Sequence, residues 1–365
     1  MYSEFNLWPV GQGLFYTGNI NDGQFKFIYD CGGNETLIND SVKHYIYKEG
    51  PPDMLVISHF HEDHINGLPY LLNNIEKKID KIFIPYYKNI DSYLLLLSYV
   101  LGSDANLSGK VNQIIMVDAG NPENKDDDPL DDVTSYIPQN IKLNKINKSN
   151  FVFDKIWEFK FYNARLKNSS TSVKSDVDNL IKEYKCSTLN DLLKNTQDWD
   201  SLKSKFQAIY DKYCSPSKRN QSSLCLYHSP INIHKYNCLF YQYNCTCYPC
   251  YCTCHNYYLQ NHCGTILTGD ISLRGKNNYS KFLTYYEKEE KNTTFFLLPH
   301  HGSKYNWNSD ILCNFHKPKI FLNSAGLGCR YNHPSEKVVS EIKNNNDTLL
   351  CSNQLTLVKY IIKKQ

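Results

Sequence analysis

His59-Phe60-His61-Glu62-Asp63-His64 decides how this chain is read, with the apolar run Asp53-Met54-Leu55-Val56-Ile57-Ser58 before it and Ile65-Asn66-Gly67-Leu68 after it. Three imidazoles and two carboxylates in six residues are costly for a structural turn and well suited to divalent metals. The preceding run, bounded by Pro51-Pro52, has the look of a short buried strand, so the ligands sit at a strand's carboxyl end. The quick turn at Asn66-Gly67 puts Asp63 and His64 at the start of a helix. On that geometry His59 and His61, two apart on extended backbone, chelate one ion, and Asp63 and His64 face a second. Imidazole and carboxylate donors fit zinc, with manganese or iron as the carboxylate share rises.

This His-x-His-x-Asp-His pattern resembles the signature of the metallo-β-lactamase superfamily, and the likeness extends along the chain. It is most similar to the hydrolase domain of ComEC-type competence proteins and their soluble relatives. Val10-Gly11-Gln12-Gly13 resembles that group's opening turn, and Ile28-Tyr29-Asp30-Cys31-Gly32-Gly33 its strand ending in Asp-x-Gly. Leu267-Thr268-Gly269-Asp270 resembles the segment carrying the metal-bridging aspartate. Leu298-Pro299-His300-His301-Gly302-Ser303 resembles the His-His-Gly-Ser motif, and Asn332-His333-Pro334 the later His-Pro turn. The matched parts are residues 5–70 and 263–345. The resemblance implies an α/β fold, a metallo-β-lactamase-like αββα four-layer sandwich with metals at one edge, carrying helical and cysteine-rich insertions. It implies one or two divalent ions, zinc or manganese, on His59, His61, Asp63, His64, Asp270 and the His300-His301 pair. Asp63 would bind one ion and orient the nucleophile, and Asp270 would bridge two. Adjacent His300 and His301 would point opposite ways on an extended backbone, leaving one as the ligand.

Two departures stand out. Leu14 follows the second glycine of the opening turn, where the family usually has an aspartate. Many superfamily members supply another histidine before the bridging aspartate, whereas this chain reads Asn220-Gln221-Ser222-Ser223-Leu224-Cys225-Leu226. His228 stands nearby, either as a ligand or as a structural histidine at a strand end.

Metal coordination lowers the pKa of bound water toward neutrality and polarises the bond under attack. Asp63 is the carboxylate expected nearest that water. His333 either donates a proton to the leaving group, binds a substrate oxygen, or packs. Lys304 and Arg330, beside the motifs, are the substrate-binding candidates for a phosphate.

With 365 residues, 41% hydrophobic and 14% aromatic, the chain can bury a large core. It is read as a single domain over 1–365, with a helical insertion at 175–215 and a cysteine-rich hairpin insertion at 236–262. The net charge of +3 gives little steering toward nucleic acid and argues against wrapping of long duplexes, while leaving room for a local phosphate cleft. No cationic region followed by an apolar core opens the sequence, and no apolar run reaches bilayer length, so a soluble cytoplasmic protein without membrane attachment is expected. Cys245, Cys247, Cys250, Cys252 and Cys254, followed by His255 and flanked by Cys238 and Cys263, form either a structural zinc site or a hairpin with reduced thiols.

Strands are expected near residues 5–10, 24–30, 53–58 and 81–85, a leucine- and tyrosine-rich helix at Asp91 to Leu101, and an acidic loop at Asn121 to Asp132. Helical spacing runs from Ser175 to Tyr213 through Leu180, Tyr184, Leu189, Leu192 and Leu193, as a lid, a partner surface or core packing. Strands return near 264–269, 295–298, 318–323 and 355–362. The function implied is a metal-dependent hydrolase, a phosphodiesterase or nuclease acting on nucleic acid or a nucleotide. An ester, lactone or amide hydrolase and a non-catalytic metal-binding sensor module of a multi-protein bacterial system, with a protein partner, are the alternatives.

Overall fold

Alternating apolar residues separated by turns fill the first thirty positions, and they fold as three antiparallel strands, β1 (Tyr2–Leu7), β2 (Phe15–Ile20) and β3 (Phe25–Cys31). The computed structural model describes residues 2–86, 107–118, 142–146, 150–164, 173–188, 191–192, 196, 198–213, 223–243, 258–260, 263–315 and 320–364. β4 (Met54–Val56), β5 (Ile79–Pro85) and β6 (Val111–Val117), apolar and buried over their last residues, then add in parallel as strands covered on both faces do, and β7 (Lys142–Ile146) pairs in parallel beyond β6.

A second sheet starts with β8 (Asn150–Phe153), β9 (Trp157–Asn163) and β10 (Leu224–Pro230). The chain next returns to the first sheet through β11 (Tyr236–Tyr243) and β12 (Tyr258–Gln260), an antiparallel pair. It completes the second with β13 (Gly264–Leu267), β14 (Thr293–Leu297), β15 (Ile320–Ser324) and β16 (Thr348–Ser352), and closes with β17 (Leu357–Lys364). The strand orders are β12-β11-β17-β1-β2-β3-β4-β5-β6-β7 and β16-β15-β14-β13-β10-β9-β8. β17 thus lies between β1 and β11, antiparallel to both.

Three apolar layers make this an αββα sandwich. Phe5, Tyr16, Phe27 and Tyr29 of the first sheet meet Trp157, Phe159, Leu226 and Phe295 of the second in the central layer. Each large side chain buried there contributes about 1.5–3 kcal/mol. The outer face of the first sheet packs on helices Glu35–Glu49 and Leu68–Asn74 through Ile38, Val42, Leu68 and Leu71. The outer face of the second packs on helices Lys276–Tyr285 and Glu336–Asn344 through Phe282, Val338 and Ile342. The four-layer arrangement implied by the motifs is the one found.

The helical pattern after Ser175 forms two helices, Val173–Glu183 and Trp199–Tyr213. Val177, Leu180, Leu202 and Phe206 from them are buried in the layer outside the first sheet, as is Leu192, while Leu189 and Leu193 lie outside the described residues. The segments Asp91 to Leu101 and Asn121 to Asp132 lie outside the described residues. Among the described residues no helix is long and apolar enough to cross a membrane.

Candidate metal centre

Asp30, one residue before the end of β3, is fully buried and at φ 57°, a left-handed conformation that aspartate tolerates better than most residues. Its Oδ1 accepts the Ser58 backbone N–H at 2.7 Å, and its Oδ2 accepts the Ser58 hydroxyl at 2.6 Å and His64 Nδ1 at 2.8 Å. The loop after β4 and the helix Glu62–Ile65 are therefore tied to the end of β3 by one carboxylate. Gly32 explains the rest of the Asp-x-Gly motif: a Cβ there would lie 2.4 Å from the Asp63 carbonyl carbon and the His64 nitrogen. Only a glycine lets this helix seat at that depth.

The same logic orients the other rings. Ser58 Oγ, donating to Asp30, is left to accept from His59 Nδ1 at 3.0 Å. The Ser324 carbonyl accepts from His301 Nδ1 at 2.7 Å, and Asn306 Oδ1 from His300 Nδ1 at 3.0 Å. His59, His64, His300 and His301 thus each hold a proton on Nδ1, which points Nε2 inward as the atom offered to a metal, the arrangement typical of imidazole ligands held by outer hydrogen bonds.

Those Nε2 atoms converge on two carboxylates. His64 Nε2 lies 3.2 Å from Asp270 Oδ1, His300 Nε2 3.4 Å and His59 Nε2 3.6 Å from Asp270 Oδ2, and His301 Nε2 3.3 Å from Asp63 Oδ2. Two groups result, His59-His64-Asp270 and Asp63-His64-His301, each with ligand atoms within 4.8 Å of one another. His64 belongs to both. His61 adjoins the first group, its Nδ1 2.8 Å from His59 Nε2. The buried atoms His64 Nε2, His301 Nε2 and Asp270 Oδ1 make no hydrogen bond. Buried polar atoms are seldom left so, and these face one another, so the donor set fits divalent ions with mixed nitrogen and oxygen ligands. A void of about 10 Å³ beside them is bordered by Leu14.

Charge follows this packing. Burial alone would protonate Asp270, but His64, His300 and His59 hold it well below the usual carboxylate range. Asp63 behaves likewise: burial opposes ionisation, and His64 and His301 outweigh it. For His64 burial disfavours the cation, yet Asp270, Asp30 and Asp63 raise its pKa well above the ordinary value. Burial and the neighbouring His64 push His59 the other way, well below its usual range.

The expectation that His300 and His301 sit on extended backbone is corrected. Both adopt left-handed conformations, φ 48° and 55°, in a short 3-10 turn that ends at Gly302 with φ 81°. Consecutive left-handed residues curl the chain, so both Nε2 atoms reach carboxylates; His301 is buried and His300 half-buried. His333 packs against His300, ring centroids 5.8 Å apart, and its Nδ1 is buried without a hydrogen bond. Burial, then His301 and His300, lower its pKa to about 4. Arg330 is exposed over the Tyr331 ring and Lys304 is exposed beside Tyr305.

Ser223 Oγ accepts the Asp270 backbone N–H at 3.1 Å and so holds the aspartate loop. His228 is no part of the centre. It is buried among Phe5, Phe27 and Trp157 with Nε2 2.8 Å from the Tyr16 hydroxyl, and burial lowers its pKa to about 3. Sequence reasoning did not single out Asp30, Ser58, Ser324 and Asn306 as site residues. Asp30 was visible within the Asp-x-Gly motif; a serine or asparagine that orients a histidine leaves no spacing signal. Cys245, Cys247, Cys250, Cys252, Cys254 and His255 lie outside the described residues. Cys238 and Cys263 are buried free thiols whose pKa values burial pushes up, that of Cys263 to about 12.

An αββα sandwich with a histidine- and aspartate-lined centre at the ends of its strands is the class defined here. No protein-family description matches the chain, and no curated protein is similar to it. Among solved structures it is similar to a long-form RNase Z from yeast, at 9% identity and TM-score 0.38, over 81% of this chain and 32% of that one. The chain therefore spans about a third of the length of that enzyme. Human tRNase Z, short form, is similar at 9% identity and TM-score 0.43, over 97% of this chain and 98% of that one. The metallo-β-lactamase fold protein YhfI from Bacillus subtilis gives 10% identity and TM-score 0.42 over the same shares, 97% and 98%. Each likeness is one of fold alone.

Proposed function

We propose that this protein is a metal-dependent hydrolase that cleaves phosphodiester bonds in nucleic acid or a nucleotide with an activated water. The observation that carries the reading is the convergence of His64 Nε2, His301 Nε2 and Asp270 Oδ1, buried and without hydrogen bonds, beside His59 and Asp63. His59, His61, Asp63, His64, Asp270, His300 and His301 would hold one or two divalent ions, zinc or manganese. Such ions supply Lewis acidity and lower the pKa of water toward neutrality.

The chain's own part is orientation. Asp30, Ser58, Ser324 and Asn306 keep the histidine protons on Nδ1, so that every Nε2 faces inward. Asp63, with 35% of its side chain exposed, is the carboxylate open to solvent and orients the attacking water. Asp270, nearly closed off, serves the first group of ligands, and His64 is shared by both. His333, at the rim against His300 and neutral with its pKa lowered to about 4, binds a substrate oxygen. The phosphodiester preference is supported by the motif resemblance to ComEC-type hydrolase domains and by the cations Arg274, Lys304 and Arg330 near the motifs.

The test is hydrolysis of bis-p-nitrophenyl phosphate, single-stranded DNA, RNA and cyclic nucleotides with added manganese or zinc, comparing the wild type with Asp63→Ala. Turnover abolished by the substitution is the expected result. Bound metal with no turnover of any of these overturns the phosphodiester reading and favours an ester or amide substrate or a sensor role.

A further inference from the structure

The segments carrying Asp270 and His300 continue into the walls of a polar cavity of about 340 Å³, bordered by Arg274, Lys304, Tyr305, Trp307, Lys337 and Glu341. Asn306 is the hinge between the two sites. Its Nδ2 donates to the Asp270 carbonyl at 2.9 Å, its Oδ1 accepts from His300, and its own carbonyl accepts the Leu273 N–H at 2.9 Å. The cavity walls are thus fixed to the candidate metal centre by side-chain and backbone hydrogen bonds of Asn306 within a few residues of its ligands.

The cavity holds three cations against one carboxylate. Glu341 is already engaged, accepting Trp307 Nε1–H at 2.8 Å and lying 3.7 Å from Lys337. Among the described residues Arg274 and Lys304 make no ion pair; both approach the ring of Tyr305, at 5.8 and 5.2 Å from its centroid. Tyr305 is 63% exposed, the most open aromatic near the centre. Two unpaired cations around an exposed ring, over a polar cavity, are the elements of a site that takes a phosphate and stacks the base attached to it.

Resting on the function proposed above, we infer that this cavity is a second, non-reacting subsite for single-stranded nucleic acid: Arg274 and Lys304 hold a phosphate flanking the one at the metal centre, and Tyr305 stacks its base. The substrate is then a polymer rather than a mononucleotide or cyclic nucleotide.

The experiment is fluorescence anisotropy of labelled single-stranded DNA and RNA oligonucleotides with the full chain, across a salt series, alongside bis-p-nitrophenyl phosphate hydrolysis. The double variant Arg274→Ala/Lys304→Ala is expected to bind the oligonucleotide at least tenfold more weakly. Its slope of log affinity against log salt becomes shallower by about 0.7 for each phosphate that is no longer neutralised. Tyr305→Leu loses about tenfold with an unchanged salt slope, and Tyr305→Phe binds as the wild type does. Oligonucleotide affinity and salt slope unaltered in the double variant overturn the inference. Hydrolysis of the small diester without any oligonucleotide binding also overturns it while leaving the proposed function intact. Oligonucleotide binding lost in the double variant of a protein that hydrolyses nothing sustains the subsite and removes the hydrolase reading.

Discussion

Replacing Asp30 by asparagine removes a charge and an acceptor while keeping shape, and asparagine tolerates the φ of 57° at this position. The aspartate accepts three hydrogen bonds, one on Oδ1 from the Ser58 backbone and two on Oδ2, from the Ser58 hydroxyl and His64 Nδ1. An amide in either orientation sets an N–H against at least one of those donors. A hydrogen bond to a buried charged group is worth about 1.5–3 kcal/mol, so the variant loses at least that much. It loses about twice that if the amide nitrogen takes the Oδ2 place. In that orientation His64 must shed its Nδ1 proton and carry one on Nε2, the atom that faces Asp270 at 3.2 Å, and metal affinity falls about 10- to 100-fold. Urea denaturation with and without zinc, together with zinc competition against a chromophoric chelator, reads both quantities. An unchanged urea midpoint with zinc affinity within about threefold of wild type would show that Asp30 does not fix the tautomer of His64.

Gly32→Ala places a Cβ 2.4 Å from the Asp63 and His64 backbone, and the resulting overpacking costs about 1–3 kcal/mol; thermal melting and metal stoichiometry should fall together. Chelation should lower the unfolding free energy by about 2.7 kcal/mol relative to protein with metal at 100 times its Kd, and should abolish hydrolysis; a melting temperature indifferent to chelator contradicts a metal bound in the folded centre. Burial holds His228 at about 3 against 6.5 for a free histidine, so the unfolded chain takes up this proton first. Its contribution is complete above pH 6.5 and is lost as pH falls toward 3. His228→Phe should therefore flatten the loss of stability between pH 6.5 and 5 by about 1.4 kcal/mol per pH unit at the steepest, measured by denaturation at each pH.

Much of the candidate centre was legible because clustered imidazoles and carboxylates are residue types that little besides chelation explains. The His59-to-His64 cluster, Asp270 and the His300-His301 pair announced themselves, and the apolar runs at β4, β13, β14 and β15 announced the strands that present them. The residues that aim these ligands did not. Ser58, Ser324 and Asn306 act by a single hydroxyl, carbonyl or amide placed 1, 23 and 6 residues from the histidine each one holds, separations that share no period. His300 and His301 misled because spacing assumes a backbone: two consecutive left-handed residues are an exception that only Gly302 hinted at. His228 illustrates the reverse error open to a motif reader, since Tyr16, 212 positions away in sequence, gives it a partner and the central aromatic layer gives it a home. Likewise the leucine spacing after Ser175 said helix, but which surface those helices cover depended on the outer face of a sheet completed elsewhere.

The position of β17 has a consequence for how the chain is made. Synthesis delivers it last among the described strands, yet it occupies an interior slot, with β1 waiting on one side and β11 on the other. Until it arrives, each of these neighbours presents an unzipped ladder of amides and carbonyls to whatever strand is at hand. A nascent chain stalled before Leu357 would thus hold most of its core residues and still be a self-adhesive half-product. Tyr360, hydrogen-bonded to the Tyr16 and Thr265 hydroxyls and stacked on Phe295 at 3.9 Å, is the latch on that step. The second sheet and the run β1 to β7 pair without it, so what this late keystone joins is the β11-β12 pair to the rest of the first sheet.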